Sequence, residues 1–138
     1  MQHLWKNWFI DNFYPLTDVV EKSDRKYTFK NFYYTEVPFH NELKSYILSL
    51  NTITVGTSYE VYHVHRWEQG SFFNEHVDSN KNRRWAYVCE LKSSECGTSL
   101  LVEGIKTKEG LFDCTTLHEV PTIKEGVRIS LTVFGLPA

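Results

Sequence analysis

Proline and cysteine are both scarce, with four and three in 138 residues. The prolines and the seven glycines do not cluster, so no Pro/Gly/Ser linker divides the chain. The length suits one domain and hardly two. The three cysteines, Cys89, Cys96 and Cys114, are odd in number and form no C-x-x-C pair. That excludes a disulfide framework and leads us to expect reduced thiols in an intracellular protein. No apolar run approaches the roughly 20 residues of a membrane span. A basic-then-apolar leader is also lacking. The expectation is a soluble, cytoplasmic protein with no membrane partner. Charge of either sign is not in excess: 15 Lys and Arg stand against 17 Asp and Glu, a net charge of −2. This removes the electrostatic case for nucleic acid. Lys81, Arg83 and Arg84 form a local basic run, read as a solvated loop.

What the chain does have is 41% hydrophobic and 15% aromatic residues. A domain of this size buries about two-thirds of its unfolded surface, so it needs no staples. The pattern changes near residue 51. Residues 1–50 read as mixed and largely helical. Phe9-Ile10-Asp11-Asn12-Phe13 is a short apolar stretch. Pro15 opens a short helix with Leu16, Val19 and Val20 on one face. Over 41–50, Leu43, Tyr46, Ile47 and Leu50 recur at helical spacing. From Tyr59 the period becomes two, with Tyr59, Val61, His63, His65 and Trp67 on one face. Glu68-Gln69-Gly70 reads as a turn. Strands follow at 72–78, 85–91, 98–102, 111–113, 117–120 and 127–134, with a second turn at Glu109-Gly110. Many short strands between turn signals predict a mainly β sandwich or barrel, residues 51–138, supported from outside by N-terminal helices.

The chemistry begins at His76-Val77-Asp78. On a strand, residues two apart share a face, so this histidine and carboxylate can hold one ion. His118, 42 residues further on, is the best candidate for a third ligand from another strand. Two histidines and a carboxylate suit a non-haem Fe(II) site with open coordination positions. An H-x-D pair alone is common and carries little weight. The tail adds more. Arg128, Ser130, Thr132 and Phe134 alternate with Val127, Ile129, Leu131 and Val133. The polar face thus brings an arginine fork and a hydroxyl together, suited to a carboxylate.

With these residues in order, the chain resembles the 2-oxoglutarate/Fe(II)-dependent oxygenases of the prolyl 4-hydroxylase type. The stretch from Arg66 to Asp78 is similar to that family's approach to its H-x-D motif. Cys96-Gly97-Thr98-Ser99-Leu100 is similar to its Gly-Gly turn, with Cys96 in place of the first glycine. The segments Gly110 to Val120 and Gly126 to Ser130 resemble its distal-histidine and arginine strands, and Phe9 to Phe13 its N-terminal strand. The resemblance implies a double-stranded β-helix, a jelly-roll or cupin-like barrel, forming a single oxygenase domain over 1–138. It implies Fe(II) held by His76, Asp78 and His118. It further implies 2-oxoglutarate held by Arg128 with help from Ser130, and dioxygen as the oxidant, with ascorbate in support. The implied reaction is hydroxylation of a C–H bond, a prolyl or other side chain of a protein or peptide, with succinate and CO2 released.

Trp67 stands where the family usually has tyrosine, and is expected either to line the cosubstrate pocket or to pack. Tyr87 is a candidate for the same pocket if its register turns it inward. A substrate channel is expected from residues 51–85 and the 103–110 loop. Three other readings stay open: a nucleic-acid oxygenase, a small-molecule oxygenase on the same fold, and a metal-binding barrel without turnover. Nucleic-acid demethylases of this fold carry a second arginine six residues after the first, and here that position is Phe134. His3, His40, His63 and His65 are read as core or surface residues.

Overall fold

The computed structural model describes residues 21–25, 29–37, 41–50, 54, 59–77 and 83–136. The expected strand at Phe9–Phe13, the helix after Pro15, Asp78 and Lys81 lie outside the described residues.

Nine strands and one helix are described: β1 (Glu21–Arg25), β2 (Phe29–Val37), α1 (Asn41–Leu50), β3 (Tyr59–His76), β4 (Trp85–Lys92), β5 (Leu100–Val102), β6 (Ile105–Thr107), β7 (Glu109–Asp113), β8 (His118–Val120) and β9 (Arg128–Leu136). Neighbouring strands run β6-β5-β8-β3-β9-β4-β7, and β1-β2 joins β3. Every pairing is antiparallel. The result is a nearly closed jelly-roll barrel, as the strand pattern predicts.

The long strand β3 organises it. Its first half, Tyr59 to Trp67, pairs with β9. Its last residues, Phe73 to His76, pair with β8. Between them the register against β2 jumps, with Phe32 opposite Trp67 and Lys30 opposite Phe72. The expected turn at Glu68-Gln69-Gly70 is therefore a wide bulge inside one strand. The Ser71 hydroxyl accepts from the Glu68 amide at 3.0 Å. Backbone bonds from Gly70 to Ile123 and from Ile123 to Ser71 tie the bulge to the segment before β9. The bulge lets β3 pair with β9 along its first half and with β8 at its end.

Two further differences from the sequence reading have simple causes. Residues 21–25 and 29–37, in a stretch read as mixed and largely helical, are paired antiparallel strands. Phe29, Phe32, Tyr33, Tyr34, Thr35 and Val37 are strand formers, and sheet pairing with β3 exploits them. The expected 103–110 loop holds β6 and the start of β7. Glu103 and Gly104 both have positive φ, 49° and 78°, as a two-residue type I′ hairpin requires.

The sheet has two working faces. On the outer face, Leu43 and Ile47 of α1 pack on Tyr62, Val64, Trp85, Tyr87, Cys89, Leu91, Ile129, Leu131 and Val133. The helical stripe is as expected except at Leu50, which is 40% exposed. On the inner face, Trp67, Ala86, Val88, Leu100, Phe112, Cys114, Val120, Ile123 and Phe134 form the barrel interior. Arg83, from the basic run, lies with its guanidinium 3.8 Å from the Phe134 ring centroid. It covers that ring instead of standing free in a loop.

Trp85 is fully buried and opposite Gly135 across β4 and β9. A Cβ at position 135 would collide with the indole. Gly135→Ala is expected to lower unfolding stability by about 2 kcal/mol through overpacking. Urea denaturation followed by tryptophan fluorescence checks this.

Candidate metal and cosubstrate site

Two histidines 42 residues apart in the chain become cross-strand partners. His76 ends β3 and His118 opens β8, and their Cα positions are paired. The ring centroids are 4.3 Å apart, tilted by 55°. His118 is buried and leans on Phe112 of the barrel interior. Phe73 stacks on the His76 ring at 3.7 Å.

The tautomers follow from the backbone. His76 Nδ1 is 2.7 Å from the Asn74 carbonyl oxygen, and His118 Nδ1 is 3.0 Å from the Thr116 carbonyl oxygen. A carbonyl only accepts, so each Nδ1 carries the proton. In the neutral ring this leaves the lone pair on Nε2, the form in which imidazole binds a metal. Among the described residues no three His, Cys, Asp or Glu side chains come together as a metal group. The expected third ligand, Asp78, is not described. The two histidines fit an Fe(II) centre by donor type, by tautomer and by proximity.

The expected anion site is assembled on β9, the next strand after β3 in the barrel order. β9 turns Arg128, Ser130, Thr132 and Phe134 inward and Ile129, Leu131 and Val133 toward α1, as the alternation predicts. Arg128 is 2% exposed and stands opposite Trp67 on β3. Its guanidinium carbon is 6.0 Å from the Trp67 ring centroid. The Trp67 indole donates to the Ser130 hydroxyl at 3.2 Å. Trp67 therefore joins Arg128 and Ser130 in one interior cluster. Burial alone pulls the Arg128 guanidinium below its ordinary range, and the nearby Glu90 carboxylate opposes this. Arg128 Nε has no hydrogen-bond partner among the described residues. An orphaned buried donor beside a hydroxyl fits a carboxylate ligand.

Glu90 is a residue the sequence reading did not single out. It is 4% exposed, on the inner face of β4 opposite Ser130. Its Oε2 accepts from the Ser99 hydroxyl at 2.8 Å and lies 3.8 Å from Arg128 Nε. A signal was present. In Trp85-Ala86-Tyr87-Val88-Cys89-Glu90-Leu91 one charge interrupts a fully apolar strand.

Tyr87 is not brought to this cluster. Odd positions of β4 face α1, so Tyr87 lies on the other side of the sheet. Its ring meets Tyr46 edge-on at 6.2 Å, and its hydroxyl donates to Glu109 Oε1 at 2.5 Å. Burial and the Glu109 carboxylate raise its pKa, so it stays protonated. Its role is to dock the helix. His63 and His65 do face inward, with His65 stacked on Trp67 and His63 edge-on to Phe134.

The three cysteines are free thiols. Cys89 and Cys114 are buried, and Cys96 is exposed in the turn before β5. The hydroxyls of Ser94 and Thr98 lie 3.5 and 3.2 Å from the Cys96 sulfur. They favour the thiolate and lower its pKa to about 6. A lowered thiol pKa means the anion dominates at neutral pH. Alkylation of Cys96 by iodoacetamide is expected to be constant above about pH 7 and to fall through pH 6. Mass spectrometry of the labelled peptide reads this, and an ordinary thiol would show its midpoint near 8.5.

No family model matches the chain, and no curated protein is similar to it in sequence. Solved structures are similar in fold. A prolyl-4-hydroxylase of Pseudomonas putida superposes with a TM-score of 0.62 at 13% identity, covering 86% of this chain and 78% of its own. The viral collagen prolyl hydroxylase of Paramecium bursaria Chlorella virus-1, in its 2-oxoglutarate complex, gives 0.59 at 17% identity, covering 78% and 80%. A cupin 2 conserved barrel domain protein of Rhodopseudomonas palustris gives 0.51 at 12% identity, covering 83% and 68%. Among the described residues no helix is long and apolar enough to cross a membrane. The barrel and its strand order thus share the fold of these solved structures, two prolyl hydroxylases and a cupin barrel.

Proposed function

We propose that this protein is an Fe(II)- and 2-oxoglutarate-dependent dioxygenase that hydroxylates a C–H bond in a protein or peptide, with a prolyl side chain as the first candidate. The observation that carries this reading is the His76–His118 pair, brought side by side by β3 and β8 with both Nδ1 atoms engaged by backbone carbonyls. His76, His118 and Asp78 would hold the metal. Arg128 and Ser130 would hold the distal carboxylate of 2-oxoglutarate.

When bound, Fe(II) and 2-oxoglutarate would supply the oxidation with dioxygen as oxidant: one oxygen atom of O2 would enter succinate, the other the new hydroxyl, and CO2 would leave. The chain's own residues prepare the place. The Asn74 and Thr116 carbonyls hold the imidazole rings in one tautomer and orientation. The Trp67 indole donates to Ser130 and thereby directs the hydroxyl's own proton away from the ring, toward an acceptor. Phe73 packs on the His76 ring and Phe112 on the His118 ring, giving each an apolar neighbour. The peptide substrate rests on the likeness to prolyl hydroxylases, which is a likeness of fold.

The test is succinate release from purified protein with Fe(II), 2-oxoglutarate and ascorbate, with and without proline-rich peptides. Peptide-stimulated succinate release, with a mass gain of one oxygen on the peptide, supports the proposal. Absence of both cosubstrate binding and decarboxylation overturns it.

A further inference from the structure

Glu90 has no part in the reading above, yet it occupies its most sensitive point. Across β3, β9 and β4 the barrel interior carries one continuous polar row. His65 pairs with Ser130, and Ser130 with Glu90, while Arg128 sits beside this row opposite Trp67. Glu90 and Arg128 are both nearly fully buried. Their contact is incomplete. Nε and Oε2 are 3.8 Å apart, within ion-pair range but beyond a hydrogen bond. Arg128 Nε and Glu90 Oε1 are both without a hydrogen-bond partner among the described residues. Two buried charged groups that attract each other but do not close their bond are costly unless something completes them. Meanwhile Ser99 holds the Glu90 oxygen that faces Arg128.

We propose that Glu90 is the specificity-determining residue of the Arg128 pocket: its carboxylate is the standing counter-ion of Arg128 and competes with the distal carboxylate of a 2-oxo acid. The inference rests on the cosubstrate reading above. A dicarboxylate that reaches Arg128 meets a second negative charge a few ångströms away. Glu90 must yield the arginine, and Ser99 is the donor that retains it when it does. The pocket's preference for a dicarboxylate over a monocarboxylate of equal length is therefore blunted in the native chain. Specificity here is a difference of two affinities, and Glu90 lowers only one of them.

The experiment compares 2-oxoglutarate with 2-oxovalerate, which has the same carbon chain but no distal carboxylate. Binding to the Mn(II)-loaded protein is measured by calorimetry, for the native chain, Glu90→Gln and Ser99→Ala. Glu90→Gln keeps the shape and a group for Ser99 to donate to, and removes the charge. It is expected to raise the 2-oxoglutarate over 2-oxovalerate affinity ratio by at least about tenfold, because a like charge a few ångströms from the bound carboxylate is removed. Ser99→Ala is expected to lower the ratio several-fold, because Glu90 loses its alternative donor. Glu90→Gln also leaves Arg128 buried without a counter-ion. Should it fold poorly alone, 2-oxoglutarate is expected to raise its Tm more than that of the native chain, through binding linkage. An unchanged or reduced ratio in Glu90→Gln, with native 2-oxoglutarate binding intact, overturns the Glu90 proposal alone. Failure of every form to bind either acid overturns the cosubstrate reading, and the Glu90 proposal with it.

Discussion

Arg128→Met is expected to lower unfolding stability by about 3 kcal/mol and to abolish measurable 2-oxoglutarate binding. The two effects have different sources. Stability falls because Glu90, nearly fully buried, loses the cation it faces at 3.8 Å on the inner face. A lone buried carboxylate costs more than the pair contributed, since its desolvation is no longer offset. Binding falls because methionine offers the distal carboxylate no donors. The double variant Arg128→Met/Glu90→Gln separates them. It removes both charges, and buried pairs replaced together are often neutral in stability. We expect most of the 3 kcal/mol to return while binding stays lost. Urea unfolding and calorimetry on the same samples read both. If the single variant is as stable as the native chain, Glu90 and Arg128 do not depend on each other.

His76→Ala and His118→Ala are each expected to weaken Mn(II) or Fe(II) binding by at least about 100-fold. Partners that merely orient a ligand account for roughly 10- to 100-fold, so loss of a ligand should exceed that range. Combining the two changes should add little, because one remaining histidine cannot hold the ion. His63→Ala and His65→Ala serve as controls. They face the same interior, beside Phe134 and Trp67, and should change metal affinity by less than about threefold. Mn(II) titration by electron paramagnetic resonance distinguishes these outcomes. Equal losses from all four histidines would mean a general interior effect and would remove the special status of the pair.

Local alternation made much of this legible in advance. The period-two pattern of 127–134 correctly separates Arg128 and Ser130 from Ile129 and Leu131, because strand geometry leaves no other choice once one face is apolar. The helical stripe of 41–50 was readable for the same kind of reason. Register between distant strands was not. That His76 meets His118 depends on a bulge at 68–71, and a bulge shifts pairing without any change in the apolar pattern. Tyr87 could be placed on either face only after β4 was set against α1, and Trp85, Cys89 and Leu91 take it outward together. Strands β1 and β2, within a stretch that reads as mixed and largely helical, depend on pairing with β3, a long-range effect that local spacing does not contain. Glu90 was passed over because its meaning lies in Arg128, on another strand.

The shortness of β8 has a consequence for how permanent the site is. Arg128 and Ser130 belong to a nine-residue strand flanked along its length by β3 and β4. His118 belongs to a three-residue strand, joined to β3 and β5 by two residue pairs each. Short ladders open locally at far less than the global unfolding cost. The anion end is thus a standing part of the barrel, whereas the histidine end is a latch. An ion held by both His76 and His118 would fasten β8 to the end of β3.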